Sequence, residues 1–185
     1  MTSYESGGGA EKVRLKKGLS NEEIIILGCK MGLEDVLLPR VYAHDVLPVQ
    51  HLIKTFKKRG RKEMCFIINT GDKDTAGEHW QTIWCQDNTL DYFDPYGLPP
   101  VQARTWTFIE DLQANWDFNE DPVQNYFNRN SMTCGYHCLF YLFMKHEEPQ
   151  WSIKKIVSSF YDLKNLKFND DFVKEFGEMF LNDFK

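Results

Sequence analysis

The sequence predicts an α+β fold on three observations. The chain has 185 residues, about one domain and enough for a proper core. Its β-branched and alternating segments lie in the middle, and its segments with helical periodicity lie towards both ends, the order expected of an α+β domain. A hydrophobic fraction of 42%, rich in Phe, Tyr and Trp, marks a globular rather than a disordered chain.

Taken in order, residues 1–12, with SGGGA, read as a flexible tail, and 13–185 as a single domain without repeats. LSNEEIIILGCKMG reads as a helix capped by Ser20 or Asn21, with Glu22 and Glu23 at its positive end and Gly28 or Gly32 as its stop. VLPVQHLIKTFKKRGRK predicts a short helix from Pro48 to Gly60. MCFIINT, from Met64 to Thr70, is apolar almost throughout, as in a strand buried on both faces. GDKDTAGE is a loop, and EHWQTIWCQDNTLDYFDPYG a hairpin turning at Asp87-Asn88. Residues 101–116 read as helix and DFNEDPVQNYFNRNS as irregular. From Thr133 an almost wholly apolar helix runs to about Lys145; SIKKIVSSFYDL and NDDFVKEFGEMFLNDF are amphipathic helices with polar caps.

The bulk properties exclude several classes. No apolar run approaches the roughly 20 residues of a membrane span, and the N-terminus has no apolar core of a secretory signal. Five cysteines without regular spacing favour reduced thiols inside a cell. A net charge of −5 does not suggest a nucleic-acid binder. The exception is KTFKKRGRK, Lys54 to Lys62, with six basic residues in nine. It is either a DNA-attracting patch or a solvated surface.

The chemistry concentrates in NSMTCGYHCLFYLFMKH. Cys134, His137 and Cys138 lie within five positions of one helix, with no second ligand pair elsewhere, so a four-ligand zinc site is not expected. Cys138, among Leu139, Phe140 and Leu142, reads as a core cysteine. Cys134 differs by standing in the first turn, where Ser131 or Thr133 can cap and Gly135 allows close approach. Unpaired N–H groups and the positive helix end favour a thiolate there, the nucleophilic form.

A thiolate nucleophile needs a base. His44 and His51 lie in the early polar part, His146 at a helix end, and His137 follows Cys134 too closely to point at it. His79 remains. With a two-residue turn at Asp87-Asn88, Gln86 faces Thr89, Gln81 faces Asp94 and His79 faces Tyr96. His79 and Asp94 then become diagonal neighbours on one face, about 7 Å apart or less at Cβ, with Asp91 on the other. A carboxylate on one ring nitrogen fixes the tautomer and frees the other to act as base. Without His79, Asp94 would read simply as a turn residue of DPYG.

GEHW, then FDPYG, then SMTCGYHCLFYL, in the order His, Asp, Cys, resembles the adenovirus-type (adenain-like) cysteine endopeptidases, relatives of the SUMO-deconjugating proteases. The resemblance runs from Ile67 to about Met144, and the C-terminal NDDFVKEF is similar to versions from Polinton (Maverick) elements and large DNA viruses. It implies a central mixed β-sheet flanked by helices, with the catalytic Cys at the N-terminus of a buried central helix. It makes Cys134 the nucleophile, His79 the base and Asp94 the orienting acid, with Trp80 packed over the cleft. The family also carries a Gln whose amide completes the oxyanion hole with the Cys N–H. Here Gln124 takes that place, although it stands ten residues before Cys134, farther than is usual, and Asn128 is the alternative.

The implied function is cleavage of viral capsid and core precursors after small residues such as Gly during virion maturation. The resemblance calls for no metal or organic cofactor. It implies a polypeptide substrate, a monomer without membrane attachment, and a place in the virion or the host cell interior, nucleus or cytoplasm. DNA or an activating peptide enters as a further partner, and ESGGGA resembles a Gly-Gly cleavage site open to self-trimming. The alternatives are a deconjugase for a SUMO-type modifier, a non-catalytic binding module, and acyl transfer by the same thioester chemistry.

Overall fold

The structure is a computed structural model that describes residues 18–73, 79–127 and 132–182. The tail expected over 1–12, the ESGGGA stretch, residues 74–78 of the GDKDTAGE loop, Ser131 and Asn128 lie outside the described residues.

Helix α1 spans Asn21–Lys30. Ser20 caps it reciprocally: its side chain accepts from the Glu23 N–H while Glu23 accepts from the Ser20 N–H. Gly28 does not end the helix but lies inside it, because a Cβ there would stand 2.6 Å from Leu37 Cδ2. The turn that follows uses Gly32, at φ +79°. Next come β1 (Leu37–Ala43), a short 3-10 turn, α2 (Val49–Lys58) and β2 (Met64–Asn69). The hairpin is β3 (Trp80–Gln86) and β4 (Thr89–Phe93), followed by α3 (Ala103–Leu112) and β5 (Asn115–Phe118). The chain ends in α4 (Cys134–Glu147), α5 (Ile153–Phe160) and α6 (Leu166–Asn182).

The five strands form one mixed sheet in the order β1-β2-β3-β4-β5. Both edge pairs, β1 with β2 and β4 with β5, are parallel; the central pairs are antiparallel. The helix expected over 101–116 is therefore corrected at its end. Gln113 turns left-handed at φ 55°, closes α3, and sends residues 115–118 back along the sheet as a strand.

Alternation along β2 explains its unbroken apolar sequence. Cys65 and Ile67 face a layer built from α1, α4, α5 and α6, while Met64, Phe66 and Ile68 face α2 and α3. All six β2 residues are buried, and the sheet is thus the middle of three layers. Helix α4 is central to the larger layer: Cys138, Leu139, Phe140, Tyr141 and Leu142 are each at most 1% exposed. No helix among the described residues is long and apolar enough to cross a membrane.

Candidate active site

The hairpin register follows the two-residue turn. Gln86 pairs with Thr89 and Thr82 with Phe93, and Asp87 takes φ 52° at the turn. Extending that ladder brings Gln81 and His79 to Asp94 just past the last pair. His79 Nε2 lies 2.8 Å from Asp94 Oδ1, and Gln81 Nε2 donates to Asp94 Oδ2 at 2.8 Å. The Tyr96 N–H also donates to Oδ1, at 2.7 Å. Asp94 is completely buried, so a carboxylate there needs this set of donors.

The Asp94 backbone is gripped as well. Asn119 accepts from its N–H at 2.9 Å and donates to its carbonyl at 2.6 Å. This follows directly from β5, whose last residue is Phe118. Tyr96, two residues after Asp94 in the DPYG turn, stacks on the His79 ring at 4.2 Å between centroids and 10° between planes. The imidazole is thus fixed by a carboxylate at one nitrogen and an aromatic face.

Cys134 opens α4 from the other side. Its first turn rests on the β3 entry: a Cβ on Gly135 would lie 3.2 Å from Trp80 Cδ1, and Cys138 Sγ donates to the Trp80 carbonyl at 3.3 Å. Trp80, only 5% exposed, packs against the start of the helix. Because Trp80 follows His79 directly, this packing brings the Cys134 sulfur to the His79 ring. With Nε2 committed to Asp94, the ring's other nitrogen, Nδ1, is buried and makes no hydrogen bond among the described residues. The His79 ring and the Cys134 sulfur interact.

The electrostatics of the ring follow from its neighbours. Burial works against an imidazolium at His79, but the Asp94 carboxylate and the Cys134 sulfur outweigh it and raise its pKa from 6.5 to about 9. Cys138 behaves differently: burial pushes its thiol well up, reinforced by charge at Cys134 and Asp94, so it stays protonated. His137 is fully buried and bonds Asp170 Oδ1 at 3.0 Å. Burial, only partly offset by that carboxylate, lowers its pKa, so it sits in the core as a neutral ring. Of the remaining histidines, His44 bonds Asp72 at 2.9 Å and His146 bonds Glu63 at 3.1 Å.

Gln124 is fully buried on the irregular segment after β5. Its N–H and that of Val123 both donate to the Pro95 carbonyl, at 3.0 and 2.9 Å. The segment is thereby tied to the same DPYG turn that carries Asp94. A second tie comes from α6, which the sequence reading treated only as an amphipathic helix with a polar cap. Helix α6 begins at Leu166, ahead of that cap, with Asn165 accepting from the Phe168 N–H. Asn169 and Asp170 therefore lie within the helix and turn inward. Asn169 donates to the Val123 carbonyl at 3.0 Å, and Asp170 Oδ1 accepts from the Asn125 N–H at 3.4 Å. The signal for this was two adjacent polar residues placed where the helix is buried.

Cys134, His79 and Asp94 thus come together, buried, at the mouth of a central helix seated on a mixed sheet. Among the described residues no cluster of His, Cys, Asp or Glu could hold a metal ion.

The fold is the adenain/SUMO-protease-like one. The structure is similar to the crystal structure of the ASFV pS273R protease, with a TM-score of 0.51 at 16% identity, over 84% of this chain and 68% of that one. It is also similar to AvrA with IP6 and CoA, with a TM-score of 0.46 at 17% identity, over 71% of this chain and 50% of that one. No family model and no curated protein sequence matches the chain.

Proposed function

We propose that the protein is a cysteine endopeptidase. The observation that carries this reading is His79, bonded to buried Asp94 at 2.8 Å and held near pKa 9 in part by the Cys134 sulfur. A ring that holds its proton at neutral pH beside a sulfur at a helix start suits a cysteine nucleophile with its proton partner.

In the mechanism, Cys134 Sγ forms a bond to a peptide carbonyl carbon and its π electrons move to oxygen. That oxyanion meets the Cys134 N–H and the Gln124 amide; one such donor lowers a barrier by roughly 3–4 kcal/mol. His79 gives its Nδ1 proton to the leaving amine as the C–N bond breaks, leaving a thioester. It then takes a proton from the water that hydrolyses that thioester. Asp94 keeps Nε2 as the donor end of the ring throughout. Cys138, a buried thiol, takes no part.

The finer reading follows the family resemblance: the scissile bond lies after a small residue such as Gly, in capsid or core precursors of a maturing virion. KTFKKRGRK supports a DNA partner less than its composition suggests. Arg59 donates to the Asp35 carbonyl, and Arg61 donates to the Asp87 carbonyl and to Asn88, so part of its charge is engaged within the fold.

The test is labelling with a peptide vinyl sulfone carrying Gly-Gly, followed by mass mapping. Label is expected on Cys134, lost in Cys134→Ala and retained in Cys138→Ala. Label on Cys138, or persisting in Cys134→Ala, removes the assignment. A panel of Gly-Gly peptides, capsid precursors and SUMO conjugates then separates the endopeptidase from a deconjugase.

A further inference from the structure

The catalytic reading above uses nothing from α6, yet α6 places a buried acid behind the site. Asp170, 6% exposed, gathers three groups onto one oxygen. Its Oδ1 accepts from Thr133 Oγ1 at 2.9 Å, from His137 Nε2 at 3.0 Å and from the Asn125 N–H at 3.4 Å. Thr133 immediately precedes Cys134, and Asn125 immediately follows Gln124. His137 lies one turn along the helix that Cys134 opens. One carboxylate oxygen therefore links the backbone that carries the nucleophile to the backbone that carries the oxyanion amide.

The neighbouring residue reinforces the link. Asn169 donates to the Val123 carbonyl at 3.0 Å and to the Asp162 carbonyl at 3.1 Å, and accepts from the Asp162 N–H at 2.9 Å. The carbonyl of Val123 and the N–H of Asn125 are thus both held from α6, and Gln124 lies between them. Thr133 makes no side-chain bond to its own helix. Its hydroxyl is turned to Asp170 instead of capping α4, as expected of a residue fixed from outside the helix.

We infer that Asp170, supported by Asn169, is a positioning residue that sets the distance between Cys134 and the Gln124 amide, so that α6 completes the oxyanion hole without touching substrate. The inference rests on the endopeptidase reading. An ångström of misplacement in such a site costs about 100-fold in rate, and the loss falls on the transition state rather than on binding. No bond in the reaction forms or breaks at Asp170.

The experiment uses the full chain and a fluorogenic peptide amide with Gly-Gly before the scissile bond. Cys134 alkylation by iodoacetamide, which needs no oxyanion hole, is measured beside it. Asp170→Ala, which removes the accepting oxygen, is expected to lower kcat about 10- to 100-fold with KM unchanged, while the alkylation rate of the folded protein stays within about twofold. Should Asp170→Ala fail to fold, Thr133→Val breaks the same junction from the other side. Thr133→Val is expected to lower kcat by a similar factor, with Thr133→Ser restoring it. Turnover and alkylation falling together, in proportion to the folded fraction, would mean a purely structural role and overturn the inference. So would a Thr133→Val enzyme with unchanged kcat. A wild-type chain that cleaves no peptide overturns the endopeptidase reading itself, an outcome distinct from an active wild type whose variants keep their kcat.

Discussion

Asp94 Oδ1 receives two donors at once, His79 Nε2 at 2.8 Å and the Tyr96 N–H at 2.7 Å, while Oδ2 receives only Gln81 Nε2, at 2.8 Å. This asymmetry decides what an amide would do there. In Asp94→Asn the backbone N–H of Tyr96 keeps the amide oxygen at the Oδ1 position, and the new NH2 falls opposite Gln81. Gln81 Oε1 has no hydrogen-bond partner among the described residues, so turning over the Gln81 amide offers that NH2 an acceptor. The ring then keeps its orientation and tautomer and loses only the charge. We expect kcat/KM to fall by no more than about 100-fold, against a loss of about 10⁴ where such a substitution inverts the tautomer. His79→Ala, which removes the base, should abolish turnover while the protein stays folded. Steady-state kinetics with circular dichroism checks both, and a larger loss in Asp94→Asn would show that the ring has turned.

The pH profile follows from the same ring. His79 must carry a proton to give to the leaving amine, and it holds that proton up to about 9. Peptidase activity should therefore fall above about pH 9, and in Asp94→Asn the fall should begin at lower pH, because the carboxylate that raises the value has gone. Stability carries the same signature. A pKa raised in the folded state above its ordinary 6.5 gives stabilisation that is complete below 6.5 and disappears as pH rises through about 9. Denaturant unfolding of the wild type should weaken across that interval, and unfolding of His79→Gln should not. Parallel curves for the two proteins would contradict it.

The residues that meet at the site were legible where local rules govern. The Asp87-Asn88 turn fixes the β3–β4 register, and register alone brings His79 to Asp94. Helix polarity singles out Cys134 from Cys138. The edge strands were not legible. LLPRVYA holds a proline, which reads as a break, yet proline is tolerated on an edge strand, and the register of β1 shifts between Leu37 and Val41. NWDF is only four residues long, half exposed, and follows a helical pattern without a Gly or Pro between them. Both pair in parallel with distant partners, which no short-range pattern encodes. Asp170 was hidden for a related reason. Its three donors lie 33, 37 and 45 positions away, and within its own helix it is one acid among several.

Gly97 gives a test of how the DPYG turn holds the Gln124 segment. Its φ is +69°, and a Cβ would stand 2.7 Å from Asp121 C and Pro122 N and 2.9 Å from Glu120 O, all backbone atoms. Gly60 has the same φ of +69° with nothing within 4 Å of its Cβ position. Gly60→Ala should cost about 1–2 kcal/mol, the conformational penalty alone. Gly97→Ala adds a collision that pushes residues 120–122 away from the turn, and with them Gln124. It should cost clearly more in thermal or denaturant unfolding and should also lower kcat, which Gly60→Ala should not. Equal stabilities and equal kcat in the two variants would contradict that coupling.

A second buried charge lies at the far end of α4 and can be altered independently of the chemistry. Lys145, 5% exposed, reaches Asp91 Oδ2 at 2.9 Å and donates to the Trp151 carbonyl at 2.6 Å. Tyr141, one turn earlier, donates to the same Asp91 oxygen at 2.8 Å. Asp91 lies on the sheet face opposite Asp94, and this cluster joins β4, α4 and the entry to α5. Lys145→Met keeps the aliphatic bulk but leaves Asp91, itself 7% exposed, with one neutral donor in place of a cation. Breaking one side of a buried ion pair costs about 3–5 kcal/mol, whereas replacing both partners with uncharged groups recovers much of that. Lys145→Met should therefore destabilise the fold by about 3 kcal/mol or more. Asp91→Asn added to Lys145→Met should restore a large part of it, because the amide needs no counter-charge and still accepts from Tyr141. Denaturant melts of the single and double variants measure the difference. If the double variant were as unstable as the sum of the two singles, the loss would reside in packing around Trp151 and not in the stranded carboxylate.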